Sequence, residues 1–416
     1  MSGLFVKKIS CFDSRLTTYN LRLKIMKFIL FDDITRNSLL PFTHTRPVAD
    51  IRCGILTMRE RWELCLGQPT GTLTEKYMQD VFPVNGGKDN LYINGAVFGT
   101  IALAKAISEL QQGHALVNNN QIIAARLTEI LDITAFHTKV RSLQTQSFSG
   151  DVYSLKNVWD IFSANDRALR ADYELITKGR KSAPVPADVI VTGKDGLFIE
   201  EGANIYAGCI INATAGPVYI GKGAEILEGT MMRGPVAACD QSVIKMGAKI
   251  YGATTIGPGC KVGGEINNTV FFANSNKAHD GYLGNAVIGE WCNLGADTNC
   301  SNLKNNYGEI KIWDEATGKA VHTGLTFCGV LMGDHSKCAI NTMFNTGTIV
   351  GVSCNIYGSG FPEKFIPSFS WGGSEGITKY DFNRAMETAA RMMERRGKKL
   401  SSAETALYRY IYDMRK

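Results

Sequence analysis

The stretch IGKGAEILEGTMMRGPVAACDQSVIKMGAKIYGATTIGPGCKV (220–262) returns to an aliphatic side chain at a six-residue interval. An amphipathic helix has a period near 3.6 residues and a strand a period of 2, so neither alone produces a sustained interval of six. Six residues suit one side of a prism-like coil, in which a short strand points one aliphatic side chain inward and a turn with Gly or Asn follows. The same interval also occurs before and after this stretch. The whole series, inside and outside the stretch, is Ile199, Ile205, Ile211, Ile220, Ile226, Met232, Ile244, Ile250, Ile256, Val262, Ile288, Leu294 and Cys300.

Single coils of this kind expose their apolar ends until neighbours stack on them, so many repeats together form one core. The sequence therefore predicts a parallel β-helix over residues 186–372. The alternative is a sandwich of unrelated short strands, but its apolar residues would alternate by two, with turns every 8–12 residues. The periodicity does not set the hand of the coil, and the general rule for crossovers favours the right hand.

Composition and charge argue against several classes of function. The chain has 416 residues and a formal charge of +6, and the excess of Lys and Arg lies at its two ends. No basic groove runs through the body, so we expect no nucleic-acid partner. The 11 cysteines stand singly, as is typical of reduced thiols in a cytoplasmic protein. No apolar run is long enough for a membrane span, so no membrane association is expected.

The remaining segments divide the chain further. Residues 1–25 are predicted to be a disordered extension, because charged residues interrupt them throughout. Residues 26–150 begin with the strand-like KFILF and are predicted to form an α/β domain. Residues 151–185 carry a helical pattern that ends before Pro184 and Pro186, which predicts a linker helix. Residues 373–416 predict amphipathic helices, the last of them capped by Ser401 or Ser402.

The segment SNKAHDGYLGNAVIGEWCNLGADTNCSNLK (275–304) resembles the acetyltransferase core of bifunctional UDP-N-acetylglucosamine pyrophosphorylase/glucosamine-1-phosphate acetyltransferases. GVLMGDHSKCAINTMFNTGTIVG (329–351) is similar to the closing coils of the same enzymes. The resemblance implies a left-handed β-helix, a homotrimer with sites between subunits, and acetyl-CoA as the acyl donor.

By the same resemblance His279 falls on the general base of the family. An amine must lose a proton as it attacks a thioester, and an imidazole can accept one near neutral pH. The resemblance assigns sugar binding to Tyr282, Asn293 and Asn302, and acetyl-CoA binding to Asn302 and Ala296, whose backbone N–H groups could stabilise an oxyanion. Three basic residues extend these sets, namely Lys277 and Arg233 for the sugar phosphate and Lys337 for acetyl-CoA. His279 and Lys337 have the structural alternative of a solvated side chain. Asn293 and Asn302 could instead serve corner turns, and Tyr282 could cover a coil end.

The sequence also departs from the family pattern. Asn267 and Asn268 stand where the family has a phosphate-binding lysine, and Gly257 replaces an arginine. The missing cations remove charge-assisted hydrogen bonds to a sugar phosphate. Asp297 replaces a glycine beside the expected donor site.

In the N-terminal half, LLPFTHTRP (39–47) resembles the nucleotidyltransferase signature L-x-P-L-T-x-x-R-P-K, and YINGAVF (92–98) resembles a later buried strand of that family. The resemblance suggests nucleotide binding by Arg46, Asp32, Asp33 and Asn94. However, the first strand runs into the two aspartates instead of a Gly-rich phosphate loop, and Ala96 replaces an expected Mg²⁺ ligand. A metal could be held only from another direction, by Asp32 or Asp33.

The leading hypothesis is a transferase of nucleotide-sugar biosynthesis that acetylates an amino-sugar-1-phosphate with acetyl-CoA. Nucleotidyl transfer from UTP or another NTP to a sugar-1-phosphate, assisted by Mg²⁺, is a second activity that the sequence leaves open. Two alternatives remain: a nucleotidyltransferase with a purely structural β-helix, and a non-catalytic module that binds nucleotide sugars.

Overall fold

The computed structural model describes residues 26–415, and the predicted extension 1–25 lies outside the described residues. The chain divides into two compact units. The N-terminal unit comprises residues up to 36, then 46–51 and 57–156. The C-terminal unit comprises 37–45, 52–56 and 157–416.

The N-terminal unit is an α/β domain built on a six-stranded sheet of order β2-β1-β3-β5-β4-β6. Strands β1 and β2 are parallel, as are β1 and β3, whereas β5 runs antiparallel to both β3 and β4. The sheet strands are β1 (Lys27–Phe31), β2 (Thr70–Leu73), β3 (Asn90–Asn94), β4 (His114–Asn118), β5 (Gln121–Leu127) and β6 (Gln144–Ser147). The helices are α1 (Met58–Leu66), α2 (Ile101–Ser108) and α3 (Ile133–Val140).

Strand β1 is buried on both faces because each face is covered. Phe28 and Leu30 pack into one apolar cluster, whereas Ile29 and Phe31 pack into another on the opposite face. This alternation follows from the two-residue period of a strand. The chain after β1 forms a short 3₁₀ helix, Ile34–Leu39, at the place of a phosphate loop.

The C-terminal unit contains a three-sided parallel β-helix, which is consistent with the predicted left-handed form. Its three faces follow one another in chain order within each coil. Face 1 contains the strands Ile190–Thr192, Ile210–Asn212, Met231–Arg233, Lys249–Tyr251, Glu265–Asn267 and Tyr282–Gly284. Face 2 contains Leu197–Ile199, Val218–Ile220, Val236–Ala238, Thr254–Ile256, Val270–Phe271, Val287–Ile288, Leu331–Met332, Ile349–Val350 and Phe365–Ile366.

Face 3 and two small sheets complete the unit. Face 3 contains Asn204–Ile205, Glu225–Ile226, Val243–Ile244, Lys261–Val262, Asn276–Lys277, Asn293–Leu294, Lys337–Cys338, Asn355–Ile356, Ser370–Gly373 and Gly376–Lys379. Asn299–Cys300 pairs in parallel with Met343–Phe344. Lys311–Asp314 and Lys319–His322 form an antiparallel hairpin between two coils.

The interior of the prism is one continuous apolar cluster, and all thirteen side chains of the predicted six-residue series belong to it. The register stacks them coil on coil, for example Ile226 beside Ile244 and Ile244 beside Val262. The predicted β-helix is therefore confirmed.

Four helices flank the coils: α4 (Asp160–Ser163), α5 (Asn165–Thr177), α6 (Phe382–Glu394) and α7 (Ser402–Met414). The predicted cap of the last helix is Ser401, which forms a reciprocal capping box with Glu404. No helix within residues 26–415 is both long and apolar enough to cross a bilayer.

Candidate functional site

The first candidate region is the corner between face 3 and face 1 of the β-helix, residues 278–281, which carries His279. The His279 side chain is exposed. The corner fits closely onto the next coil: Gly281 has φ of +114°, and a Cβ there would lie 3.2 Å from the Thr298 nitrogen. Only glycine adopts such a backbone without strain, so this corner requires glycine at position 281. Ala296 lies on the corner of that next coil, at residues 295–298.

Lys277 underlies this corner from inside the prism. Its side chain is fully buried, and Nζ donates hydrogen bonds to the carbonyl oxygens of His279 (2.7 Å) and Asp280 (2.9 Å). Burial lowers the pKa of the Lys277 ammonium to about 8, while the carboxylates of Asp280 and Asp297 oppose the shift. Lys277, predicted as a sugar ligand, thus holds the main chain that carries His279.

Tyr282 and Asn302 are brought together, as the sequence predicts for two members of one site. Asn302 Nδ2 donates to the Tyr282 hydroxyl (3.0 Å) and to Asn285 Oδ1 (2.8 Å). The Tyr282 main-chain N–H donates to Asn299 Oδ1 at 2.8 Å. Burial raises the pKa of Tyr282, although hydrogen bonds from Asn267 and Asn302 favour its ionised form.

Sequence reasoning missed part of this polar surface. The Tyr251 hydroxyl donates to Glu265 Oε1 at 2.6 Å, and this bond is the main reason that the Tyr251 pKa is raised. The register places Glu265 beside Tyr282 on face 1. The outward direction of Tyr251 and Glu265 could have been predicted from the strand period, because Tyr251 follows the inward Ile250 and Glu265 precedes the inward Ile266.

Asn293 and Lys337 lie together on face 3. They are register partners in neighbouring coils, and Asn293 Oδ1 also accepts a hydrogen bond from Asn276 Nδ2 at 3.4 Å. Lys337 Nζ donates to the His335 carbonyl oxygen at 2.8 Å, and burial lowers the Lys337 pKa to about 8. Within one chain, this pair occupies a different face from Tyr282. Arg233 is exposed on face 1, where its register partner is Asn212.

The second candidate region is a polar network in the N-terminal unit, at the carboxyl ends of β1 and β3. Asp33 Oδ2 accepts a hydrogen bond from Asn94 Nδ2 at 2.7 Å, so two of the predicted nucleotide ligands are in contact. Asn94 Oδ1 in turn accepts from the Ala96 N–H at 2.9 Å. In open α/β sheets, ligands bind outside the carboxyl ends of parallel strands.

Asp32, the residue before Asp33, is buried. Its carboxylate accepts hydrogen bonds from the Val48 N–H (2.8 Å) and the Thr74 hydroxyl (2.6 Å), and Arg36 Nε lies 3.6 Å away. Burial raises the Asp32 pKa to about 6 despite these partners. Arg46, the fourth predicted ligand, is also buried in this unit.

The residues present do not fit a Mg²⁺ site. Both oxygens of Asp32 already accept hydrogen bonds, from the Val48 N–H and the Thr74 hydroxyl. Asp33 is bonded to Asn94 and to the Thr35 N–H. Among residues 26–415, no group of three or more His, Cys, Asp or Glu side chains is arranged to hold a metal ion.

The signature-like stretch before Arg46 packs within the C-terminal unit. The Thr45 hydroxyl donates to Asp334 Oδ2 at 2.7 Å, and His44 Nε2 lies 2.9 Å from Glu315 Oε1. The Phe42 ring packs against Phe272, with 5.0 Å between centroids. These buried contacts give residues 42–45 a packing role.

A cavity of about 220 Å³ lies beside the hairpin, away from the predicted sites. Its walls include Leu40, Trp159, Trp313 and Val321. No predicted site residue lines it. Specific polar contacts converge instead on the corner that carries His279.

Comparison with known proteins finds one family match and several relatives that match part of the chain. Residues 28–181 match the family described as sugar nucleotidyl transferase. A bifunctional sugar-1-phosphate nucleotidylyltransferase/acetyltransferase of Sulfurisphaera tokodaii is 28% identical over 231 residues, which are 56% of this chain and 50% of that protein. The bifunctional protein GlmU of Methanocaldococcus jannaschii is 28% identical over 242 residues, 58% of this chain and 52% of that protein.

The chain thus spans about half the length of these curated relatives. Among solved structures, the polySia-specific acetyltransferase NeuO covers 49% of this chain and 97% of its own, at 13% identity and a TM-score of 0.26, which is too low to support an argument. By sequence, residues 28–181 match the sugar nucleotidyl transferase family, and the chain is similar to proteins named bifunctional sugar-1-phosphate nucleotidylyltransferase/acetyltransferases.

Proposed function

We propose that this protein is a transferase of nucleotide-sugar biosynthesis whose β-helix transfers the acetyl group of acetyl-CoA to the amino group of an amino-sugar-1-phosphate. The observation that carries the proposal is the exposed His279, held on a corner whose main chain is fixed by Lys277. The similarity to nucleotidylyltransferase/acetyltransferases supports the choice of reaction.

In the proposed reaction the amine nitrogen attacks the thioester carbonyl carbon, and a C–N bond replaces the C–S bond. His279 accepts the proton that the amine loses, and the CoA thiolate leaves and is protonated. Main-chain N–H groups near Ala296 would stabilise the oxyanion of the tetrahedral intermediate. Tyr282 and Asn302 would bind hydroxyl groups of the sugar, while Asn293, Arg233 and Lys337 would contact the sugar phosphate and acetyl-CoA from the neighbouring faces.

We also propose that the active assembly is a homotrimer with its sites between subunits. Support comes from an apolar stripe on face 1, formed by Ile190, Ile210 and Met231, which are register partners in successive coils. Their side chains remain 60%, 43% and 42% exposed in the single chain. A contiguous exposed apolar patch of this kind is typical of a protein interface. An interface between subunits could also bring Asn293 and Lys337 of one chain towards Tyr282 of another.

The test of the reaction is CoA release by the full chain with amino-sugar-1-phosphates as acceptors. His279→Ala should lower kcat by roughly 10²–10⁴ because general-base assistance is lost. His322→Ala is the matched control, since His322 is also exposed and lies on the hairpin of the same unit. A normal rate in His279→Ala would remove His279 from the mechanism. An absence of acetyl transfer with every acceptor would refute the proposed reaction.

A second function, nucleotide binding or nucleotidyl transfer to a sugar-1-phosphate, is favoured by the network of Asp33 and Asn94 at the carboxyl ends of β1 and β3. Any Mg²⁺ would arrive with the NTP, because the residues of this network do not form a metal site. Pyrophosphate release from UTP or another NTP in the same assay reports this activity. Pyrophosphate release without CoA turnover would instead favour a structural role for the β-helix.

A further inference from the structure

The inward column of face 3 contains one charged residue among apolar ones. In this column Ile226, Ile244 and Val262 stack in register, and the next partner is Lys277. The following coils return to Leu294, Cys338 and Ile356. An ammonium in an apolar interior is unfavourable unless hydrogen bonds compensate it. A lysine at this position therefore needs an explanation beyond packing.

The contacts of Lys277 supply that explanation. Its ammonium donates to the carbonyl oxygens of His279 and Asp280, which are consecutive residues of the corner. The side chains of both residues are exposed, so solvent reaches this corner. If water hydrates the two carbonyl groups when the lysine is absent, the fold does not depend on the lysine. What the lysine adds is a fixed position for the main chain of His279.

We infer that Lys277 is a positioning residue that acts from inside the β-helix to hold His279 in its reactive place, an inference that rests on the proposed acetyl transfer. Lys277 does not touch the acceptor or acetyl-CoA in this role. It is distinct from the sugar-binding role that the sequence suggests for the same residue.

The charges around the ammonium define its pH dependence. Asp280 and Asp297 favour the charged form, as would a thiolate at Cys338, but burial outweighs them and lowers the Lys277 pKa to about 8. Above that pH the side chain becomes a neutral amine, which donates weaker hydrogen bonds. We therefore expect the hydrogen bonds from Lys277 to the carbonyl oxygens of the corner to weaken as pH rises through about 8.

The stability effect has the opposite sign. Because the folded-state pKa lies below the ordinary lysine value, the buried charge destabilises the fold below about pH 8, and this cost disappears between pH 8 and about 10.5. Lys277→Met removes the charge while filling the space. At pH 7 we expect this variant to melt at the same temperature as the natural protein or higher, although its kcat falls by about 10²-fold.

The experiment compares the full chain with Lys277→Met and with Ile244→Met, a swap of similar volume in the same column two coils earlier. Three quantities are measured: kcat from pH 6.5 to 9.5, the melting temperature, and amide hydrogen exchange of residues 278–281. We expect the kcat ratio of natural protein to Lys277→Met to fall as pH rises through about 8. Only Lys277→Met should accelerate exchange in the corner.

A pH-independent ratio near one would overturn the inference, as would a parallel loss of melting temperature and activity, which indicates a purely structural lysine. If the natural protein transfers no acetyl group, the proposed function fails separately, and hydrogen exchange then decides the role of Lys277. Unchanged exchange at residues 278–281 in Lys277→Met would refute it.

Discussion

Asp32 is a single carboxyl group whose environment makes the stability of the N-terminal unit depend on pH. Its pKa is raised to about 6 by burial, so the folded state binds a proton more tightly than the unfolded state. The stabilisation is present below about pH 4 and is lost as pH rises through about 6. Asp32→Asn keeps an acceptor for Val48 and can donate to Thr74, but it does not ionise. Relative to the natural protein, we expect this variant to gain about 2 kcal/mol between pH 4 and 7.

The measurement is hydrogen exchange of the β1 amides at pH 4 and pH 7, which reports local stability in this unit. Asp151→Asn is the control, because Asp151 is exposed in the same unit. Equal protection of β1 in the natural protein and Asp32→Asn at both pH values would contradict the prediction.

For single residues, the sequence predicts some members of the candidate site and not others. The resemblance brings out His279, Tyr282 and Asn302, and the contact of the last two agrees with a shared site. It cannot give the direction of Lys277, which lies fifteen residues after Val262 instead of eighteen. The coil between Val262 and Lys277 is three residues shorter than the coil before it. The six-residue period therefore does not place Lys277 on the inside, although its side chain points inward.

At the scale of elements, the coils derive their stability from the inward aliphatic side chains, such as those of face 1. Ile250 is completely buried between Met232 and Ile266, its register partners in the neighbouring coils. Ile250→Ala should cost about 2–5 kcal/mol, because it removes buried methylene groups and leaves a cavity. For a unit of this size, the melting temperature should fall by about 2–4 °C for each kcal/mol.

Lys261→Ala is the matched control on the outside of the prism. Its side chain is exposed and adjoins the inward Val262, so its truncation should change stability by less than about 0.5 kcal/mol. Thermal unfolding followed by circular dichroism distinguishes the two variants. Equal melting temperatures for them would mean that the column does not carry the stability of the coil.

Elements with a local cause were predictable, and elements that interrupt a pattern were not. Ser401 predicts the start of the last helix, because a helix cap depends only on residues within one turn. The hairpin of Lys311–Asp314 and Lys319–His322 interrupts the inward apolar series between Cys300 and Met332. The six-residue pattern simply stops there, and it contains no information about the shape of the inserted segment.

At the scale of the whole molecule, the hardest feature to predict was the allocation of residues 37–45 to the C-terminal unit. His44 and its partner Glu315 are 271 residues apart in sequence. Local propensities and periods do not contain contacts of that separation. Within the stretch 39–47 the resemblance to a nucleotidyltransferase signature assigns nucleotide binding to Arg46 alone, and Phe42 and Thr45 are buried in side-chain packing.

The apolar stripe of face 1 provides the test of the proposed assembly. A head-to-tail contact that repeats by a threefold rotation closes on itself, so each chain would bury its stripe once. Ile210→Glu places a carboxylate in the middle of the stripe, where desolvating an unpaired charge is costly. Sedimentation velocity should then give a monomer where the natural protein gives a trimer, and acetyl transfer should be lost together with the trimer. Ile101→Glu is the control, because Ile101 is 60% exposed in the N-terminal unit. A natural protein that sediments as a monomer at micromolar concentration, or an Ile210→Glu variant that remains trimeric, would exclude this stripe as the interface.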